Sequence, residues 1–257
     1  MINDVNILGE WFKNNSLIAN PSKFQLMFLG HKIDLDIEIE ILNTKIKNQK
    51  EIELLGIIID NKLTFTAHID KACKKANNKL NSIIRLRSFL TEKQTRLLTN
   101  AHVISHILYC SIIWMFCNKT NRDKLESLQK RMLKTITKKD ISLKELIIKE
   151  NSYSFHQMHL QNLMLEIYKI FNKESADLLI DDTFLQKTNP YSLRNNSLLK
   201  IPIVKSTTYG TNSIIFKGSI IWNKLPQKIN KTCRSEKTFR VTCIFELISL
   251  RREVSLP

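Results

Sequence analysis

Leu54-Leu-Gly-Ile-Ile-Ile-Asp-Asn-Lys-Leu-Thr-Phe-Thr-Ala-His-Ile69 is the stretch on which the reading of the fold turns. Its β-branched apolar run, with Ile52 before it, predicts a strand over residues 52–59. The run breaks at Asp60-Asn61-Lys62, resumes at Leu63 and Phe65, and then changes period. From about Thr66, Ile69, Ala72, Cys73, Ala76, Leu80, Ile83 and Ile84 recur at helical spacing on one face. Lys71, Lys74, Lys75, Asn78, Asn81 and Arg85 fall on the other. The expected order is strand, tight turn, short strand and a helix with a basic outer face.

Upstream, residues 4–15 read as a short helix with Val5, Leu8, Trp11 and Phe12 on one side, broken at Asn20-Pro21. Residues 24–29 read as a strand. Asp34-Leu-Asp-Ile-Glu-Ile-Glu-Ile41 alternates acid and aliphatic, so its four carboxylates share one strand face. That pattern fits a solvated edge strand better than a metal site, because inline charge keeps an open edge from pairing. A hairpin near Asn43-Thr44 leads toward the opening stretch.

Downstream, residues 91–117 are apolar nearly all round and predict one buried helix. Residues 122–138 predict a third helix, with Leu125, Leu128, Met132 and Ile136 inward and Lys124, Arg131, Lys134 and Lys138 outward. Two basic-faced helices flanking an apolar one would present positive charge to a phosphate backbone. Ser142-Leu-Lys-Glu145 and Ser154-Phe-His-Gln157 each match a capping box and start helices. Strand-like pieces at 191–194 and 198–204 follow, then helical patterns at 212–225, stopped by Pro226, and 235–250.

The 257 residues carry 40 basic and 24 acidic side chains, a net charge of +16. Clustered on helix faces, that excess implies a polyanion partner, most simply nucleic acid. The 30 lysines against 10 arginines also fit the compositional drift of an AT-rich genome. No uncharged apolar run is long enough to cross a membrane, and the N-terminus is not a signal peptide. Five cysteines without a CxxC pair read as reduced thiols, so an intracellular place, nuclear or cytoplasmic, is expected.

In wording as well as layout, the chain resembles the part of LINE-type (non-LTR, jockey-like) reverse transcriptases that follows the catalytic centre. Leu55-Gly56 through Phe65 is similar to the primer-grip hairpin. Trp11-Phe-Lys-Asn-Asn-Ser-Leu-Ile-Ala-Asn-Pro-Ser-Lys23 is similar to the stretch behind the active site. Tyr109-Cys-Ser-Ile-Ile-Trp114 and Leu128-Gln-Lys-Arg131 resemble thumb and connector wording. Tyr191-Ser-Leu-Arg194, Ile201-Pro202, Tyr209-Gly210, Trp222-Asn-Lys-Leu-Pro226 and Phe239-Arg240 resemble the closing region. Each piece is weak; the ordered set covers nearly the whole chain.

The resemblance implies an α+β fold: a partial palm of helix, antiparallel strands and hairpin over residues 1–65, a helical thumb over 66–139, and a mixed, mostly helical C-terminal region over 140–257. It implies that Leu55, Gly56, Asp60 and Phe65 are grip-like, and that Lys23 stands where the family keeps a lysine near nucleotide phosphates. Lys71, Lys74, Lys75, Arg85, Lys124, Arg131 and Lys134 would meet the phosphates of RNA or an RNA–DNA primer–template, without base specificity. The parent activity, RNA-directed DNA synthesis, uses magnesium held by palm aspartates. The resemblance places those aspartates, with the rest of the polymerase, before Met1. No cofactor is expected in this chain itself. The only Asp-Asp pair, Asp181-Asp182, follows the thumb-like helices and is preceded by Leu179 where the family has an aromatic residue; it reads as a loop or helix-end pair.

Other chemistry is poorly supported. His102 and His106, four apart, have metal-ligand spacing, but Cys110 and Cys117 lie too far apart along a helix to share their ion; all four read as buried helix residues. No G-x-S-x-G and no phosphate-cradling glycine loop is present. The chain is therefore expected to be inactive alone while retaining nucleic-acid binding. The alternative is a non-enzymatic retrotransposon remnant, or one reused as a basic nucleic-acid or protein interaction module.

Overall fold

The computed structural model describes residues 2–18, 20, 23–30, 37–41, 44–150, 152–171, 199–206, 210–225 and 239. Its fold is mixed α+β, and the chain divides after His68 into two compact units.

The first unit holds α1 (Ile2–Asn14) and two antiparallel hairpins, β1 (Glu38–Ile41) with β2 (Thr44–Lys47), and β3 (Glu51–Leu54) with β4 (Ile57–Asp60). In the first hairpin the acids of β1 lie opposite lysines, Glu38 against Lys47 and Glu40 against Lys45, and Glu38 and Lys47 make an ion pair of 3.1 Å. Cross-strand opposite charges of this kind favour register. Asp34 and Asp36 lie outside the described residues.

The opening stretch folds differently from its sequence reading. The expected strand over 52–59 is two strands, because the chain reverses at Leu55-Gly56, where both residues have positive φ (49° and 84°). Two left-handed residues in a two-residue loop match the twist of the flanking strands. Leu63 and Phe65 are not a resumed strand; both have positive φ, 54° and 55°. Asp60 holds that loop. Its carboxylate accepts the N–H groups of Lys62 (3.1 Å), Thr64 (3.0 Å) and Phe65 (2.6 Å) and the Thr64 hydroxyl (3.2 Å). The strand expected over 24–29 is also replaced: that segment makes one isolated parallel bridge, Leu26 to Asn48. Side-chain amides complete its pairing, since Gln25 exchanges hydrogen bonds with the Glu53 backbone and Asn48 accepts from the Phe28 N–H.

The second unit is helical. The body of α2 (Thr66–Leu86) is followed by α3 (Glu92–Thr99), a π-helical segment (Asn100–Ile104), α4 (Ser105–Leu108), α5 (Ser111–Trp114), α6 (Lys119–Thr137), α7 (Leu143–Lys149), α8 (Phe155–Phe171) and α9 (Ile214–Lys224). The inward faces of α2 and α6 are buried as their periodicity predicts, apart from Ile84, which is half-buried. Ser154 and Gln157 make both bonds of their capping box, and Ser142 accepts the Glu145 N–H.

The single buried helix expected over 91–117 is broken and partly exposed. Ahead of the break its buried residues, Thr95, Thr99, Val103 and Ile107, recur every four positions. A four-residue spacing outruns the 3.6-residue turn and would wind the stripe about 40° per step. The wider π segment pulls it back into line. At Tyr109-Cys110 the helix stops, with Cys110 left-handed (φ 43°), and restarts. Two carbonyls freed there find side-chain donors: Ile107 oxygen lies 3.1 Å from His159 Nε2, and Tyr109 oxygen accepts from Trp114 Nε1 at 3.4 Å.

Gln129, buried on α6, links α6 to the entry of α8: its amide donates to the Tyr153 carbonyl (2.7 Å) and accepts from the Phe155 N–H (3.0 Å). Around α8, a core of Met115, Leu163, Met164, Ile167 and Trp222 forms with α9, and Phe239 stacks on Tyr168 at 4.3 Å. Leu199 is bonded at both backbone groups to Asn223 of α9, but residues 200–206 form no strand where one was expected. Residues 191–194 lie outside the described residues, as does the predicted helix over 235–250 apart from Phe239.

Candidate nucleic-acid interface

At 100° per residue, Lys71, Lys74, Lys75, Asn78 and Arg85 fall within an arc of about 100° on α2. That arc lies opposite the Ile69–Ala76–Leu80–Ile83 stripe, whose members are buried. Lys74, Lys75 and Arg85 are exposed and Lys71 is half-buried. Lys79, not singled out in the sequence, is exposed beside them. Asp70 is the one acid in α2, and it is already paired across the unit. Lys74, Lys75, Lys79 and Arg85 make no hydrogen bond or ion pair with a described residue. The ridge is thus a run of positive charge, fixed in place by the buried face behind it.

The α6 cations behave differently. Lys124 pairs with Asp70 at 2.5 Å. Arg131 forks onto the side-chain oxygens of Asn77 (2.7 Å) and Asn81 (2.5 Å). Lys134 pairs with Asp140, which holds that carboxyl below its ordinary range. Because 70 meets 124 and 77 meets 131, α2 and α6 run parallel, joined along one seam. An open groove of about 540 Å3 follows the seam, lined by Cys73, Asn77, Thr120, Lys124, Ser127 and Arg131. Burial, with Asp70 adding, pushes the Cys73 thiol up to about 11, so it is no nucleophile at neutral pH. Of the seven expected phosphate contacts, Lys71, Lys74, Lys75 and Arg85 sit on the α2 ridge, while Lys124, Arg131 and Lys134 bind side chains of the protein itself. Asn77 was not singled out in the sequence and Asn81 was read as part of the outer face; their four-residue spacing matches the fork of Arg131.

The grip-like residues divide too. Leu55 and Gly56 are exposed at the hairpin tip, whereas Phe65 is buried and the Asp60 carboxylate is occupied by its own loop. Lys23 is exposed in the first unit. His102 and Cys110, read as buried, are exposed, and His106 and Cys117 are half-buried, because the break at Tyr109-Cys110 turns that face outward. Among the described residues no group of three or more His, Cys, Asp or Glu is placed to hold a metal. Asp181-Asp182, Cys233 and Cys243 lie outside the described residues. Among the described residues the donor set does not fit a catalytic magnesium pair.

No protein-family model, no curated protein and no solved structure matches the chain. Among the described residues, no helix is long and apolar enough to cross a membrane.

Proposed function

We propose that this chain is the portion of a LINE-type reverse transcriptase that follows the catalytic centre, and that its second unit binds the backbone of RNA or an RNA–DNA duplex. The first unit corresponds in this reading to the end of a palm with its hairpin, and α2 to α6 to a thumb. The carrying observation is the α2 ridge: Lys71, Lys74, Lys75 and Arg85 share one face opposite a buried stripe. Ammonium and guanidinium groups so placed displace condensed counterions from phosphates and read no bases. Arg131 and Lys124 set the separation of α2 and α6, and so position the ridge instead of forming its main contacts.

The test is the salt dependence of affinity for an RNA–DNA duplex. The unaltered chain should show a steep fall of log K with log salt. Changing Lys71, Lys74, Lys75 and Arg85 together to Ala should reduce the slope by about three to four. An unchanged slope overturns the assignment. Primer extension by this chain with magnesium and nucleotides is not expected, since its Asp-Asp pair lacks the aromatic turn.

A further inference from the structure

A second cavity of about 540 Å3 lies in the helical unit and shares no lining residue with the α2–α6 groove. Met132 and Ile136, buried on α6, give it an apolar floor, and Tyr153 and Met158 line it where the chain enters α8. That wall is held in place. Gln129 bonds the Tyr153 carbonyl and the Phe155 N–H, and Ser154 and Gln157 cap the helix behind it. Another side is the π-helical segment, whose first and last residues, Asn100 and Ile104, both line the cavity. Such segments recur at functional sites, and apolar walls with a few convergent polar groups are the pattern of a small-ligand site.

Glu150 lines the same cavity with its side chain nine-tenths buried. Its Oε2 accepts from Arg96 at 2.6 Å, but the nearest described cation to Oε1 is Lys139 at 3.9 Å, beyond hydrogen-bond reach. A buried carboxylate oxygen without a donor is costly, and a ligand N–H there relieves the cost. Asn100 stands one turn beyond Arg96, its backbone N–H bonded to the Arg96 carbonyl. Its side-chain amide makes no hydrogen bond with a described residue. Arg96 and Lys139 balance Glu92 and Glu150, which favours a neutral ligand.

We propose that this cavity takes an unpaired adenine or cytosine base of the bound RNA. The amino group of the base donates to Glu150 Oε1, and the ring nitrogen beside it accepts from the Asn100 amide. The proposal rests on the nucleic-acid reading above and adds a base contact that the α2 ridge lacks. The apolar floor and Tyr153 receive the ring, as such side chains do for splayed RNA bases. Uracil carries an acceptor oxygen where cytosine carries its amino group, so it meets the carboxylate lone pair to lone pair.

The experiment titrates the unaltered chain with cytidine and with uridine, followed by NMR of the Met132 and Met158 methyl groups. Cytidine should shift both signals and bind about tenfold tighter than uridine. Glu150→Gln should erase the preference, and Asn100→Ala, at an exposed position, should weaken cytidine about fivefold. An RNA–DNA duplex with a single-stranded RNA overhang should bind about tenfold tighter when the overhang is cytosine than when it is uracil, at equal salt slope. Equal affinity for the two nucleosides, no shift with cytidine, or a preference that survives Glu150→Gln overturns the site. Should Glu150→Gln fail to fold, an unchanged cytidine affinity in Asn100→Ala overturns it. Nucleoside preference without overhang preference overturns the RNA assignment of the cavity. No duplex binding at any salt, with the cytidine preference intact, overturns the nucleic-acid reading instead and leaves a site for the free nucleoside.

Discussion

Asp60 carries more of the local structure than any other polar side chain of the opening stretch. Three backbone N–H groups converge on its carboxylate, and two left-handed residues, Leu63 and Phe65, depend on it. Asp60→Ala should lower the stability of the first unit by about 2–3 kcal/mol, read from urea unfolding, and Asp60→Asn by less. His159 is a second such residue. Burial, with His156 adding, holds it down to about 3, and its ring stands edge-on to Trp114 at 5.0 Å. The unfolded chain protonates this ring near its ordinary value of about 6.5, while the folded chain does not. The unfolded state therefore binds the extra proton, and stability falls as pH drops below about 6.5, levelling off only near 3. The slope this residue contributes is up to about 1.4 kcal/mol per pH unit. His159→Gln should remove that slope between pH 6.5 and 4.5, measured as the difference in urea midpoints between the two proteins. Neither role was legible in the sequence. Asp60 read as a turn residue, and His159 meets Ile107 across 52 residues.

At the scale of elements, what could be read was periodicity. The stripes of α2 and α6 emerged as written because a 3.6-residue repeat with charges opposite leaves few alternatives. Ser154 and Gln157 announced the start of α8 by a local pattern, and Ser154→Ala should cost about 1 kcal/mol through loss of the cap. The break at Tyr109-Cys110 carried no Gly or Pro, so the run looked continuous; its carbonyls are satisfied by side chains from later in the chain. The turn at Leu55 was hidden for a similar reason. Leucine is a poor left-handed residue, and only Gly56 hinted at it. Leu55→Gly should relieve roughly 1 kcal/mol of backbone strain, seen as a higher unfolding midpoint for the first unit. The face of α1 was read correctly as apolar but not as exposed: Leu8 and Trp11 are about half accessible (48% and 52%).

For the whole molecule, the excess of positive charge is sorted by the fold into two kinds. Cations along the α2–α6 seam have partners and fasten helices. On the outer ridge of α2, Lys74, Lys75, Lys79 and Arg85 make no ion pair with a described acid and face outward. Composition alone shows the excess; the packing of α2 against α6 decides which lysines are spent internally. The most direct measurement of the central claim is lysine reactivity toward reductive methylation, read by mass spectrometry with and without an RNA–DNA duplex. Lys71, Lys74 and Lys75 should be protected by the duplex, while Lys45 and Lys47 of the first hairpin should react as before. Equal reactivity of the α2 lysines in the two states, or protection confined to other lysines, would contradict it.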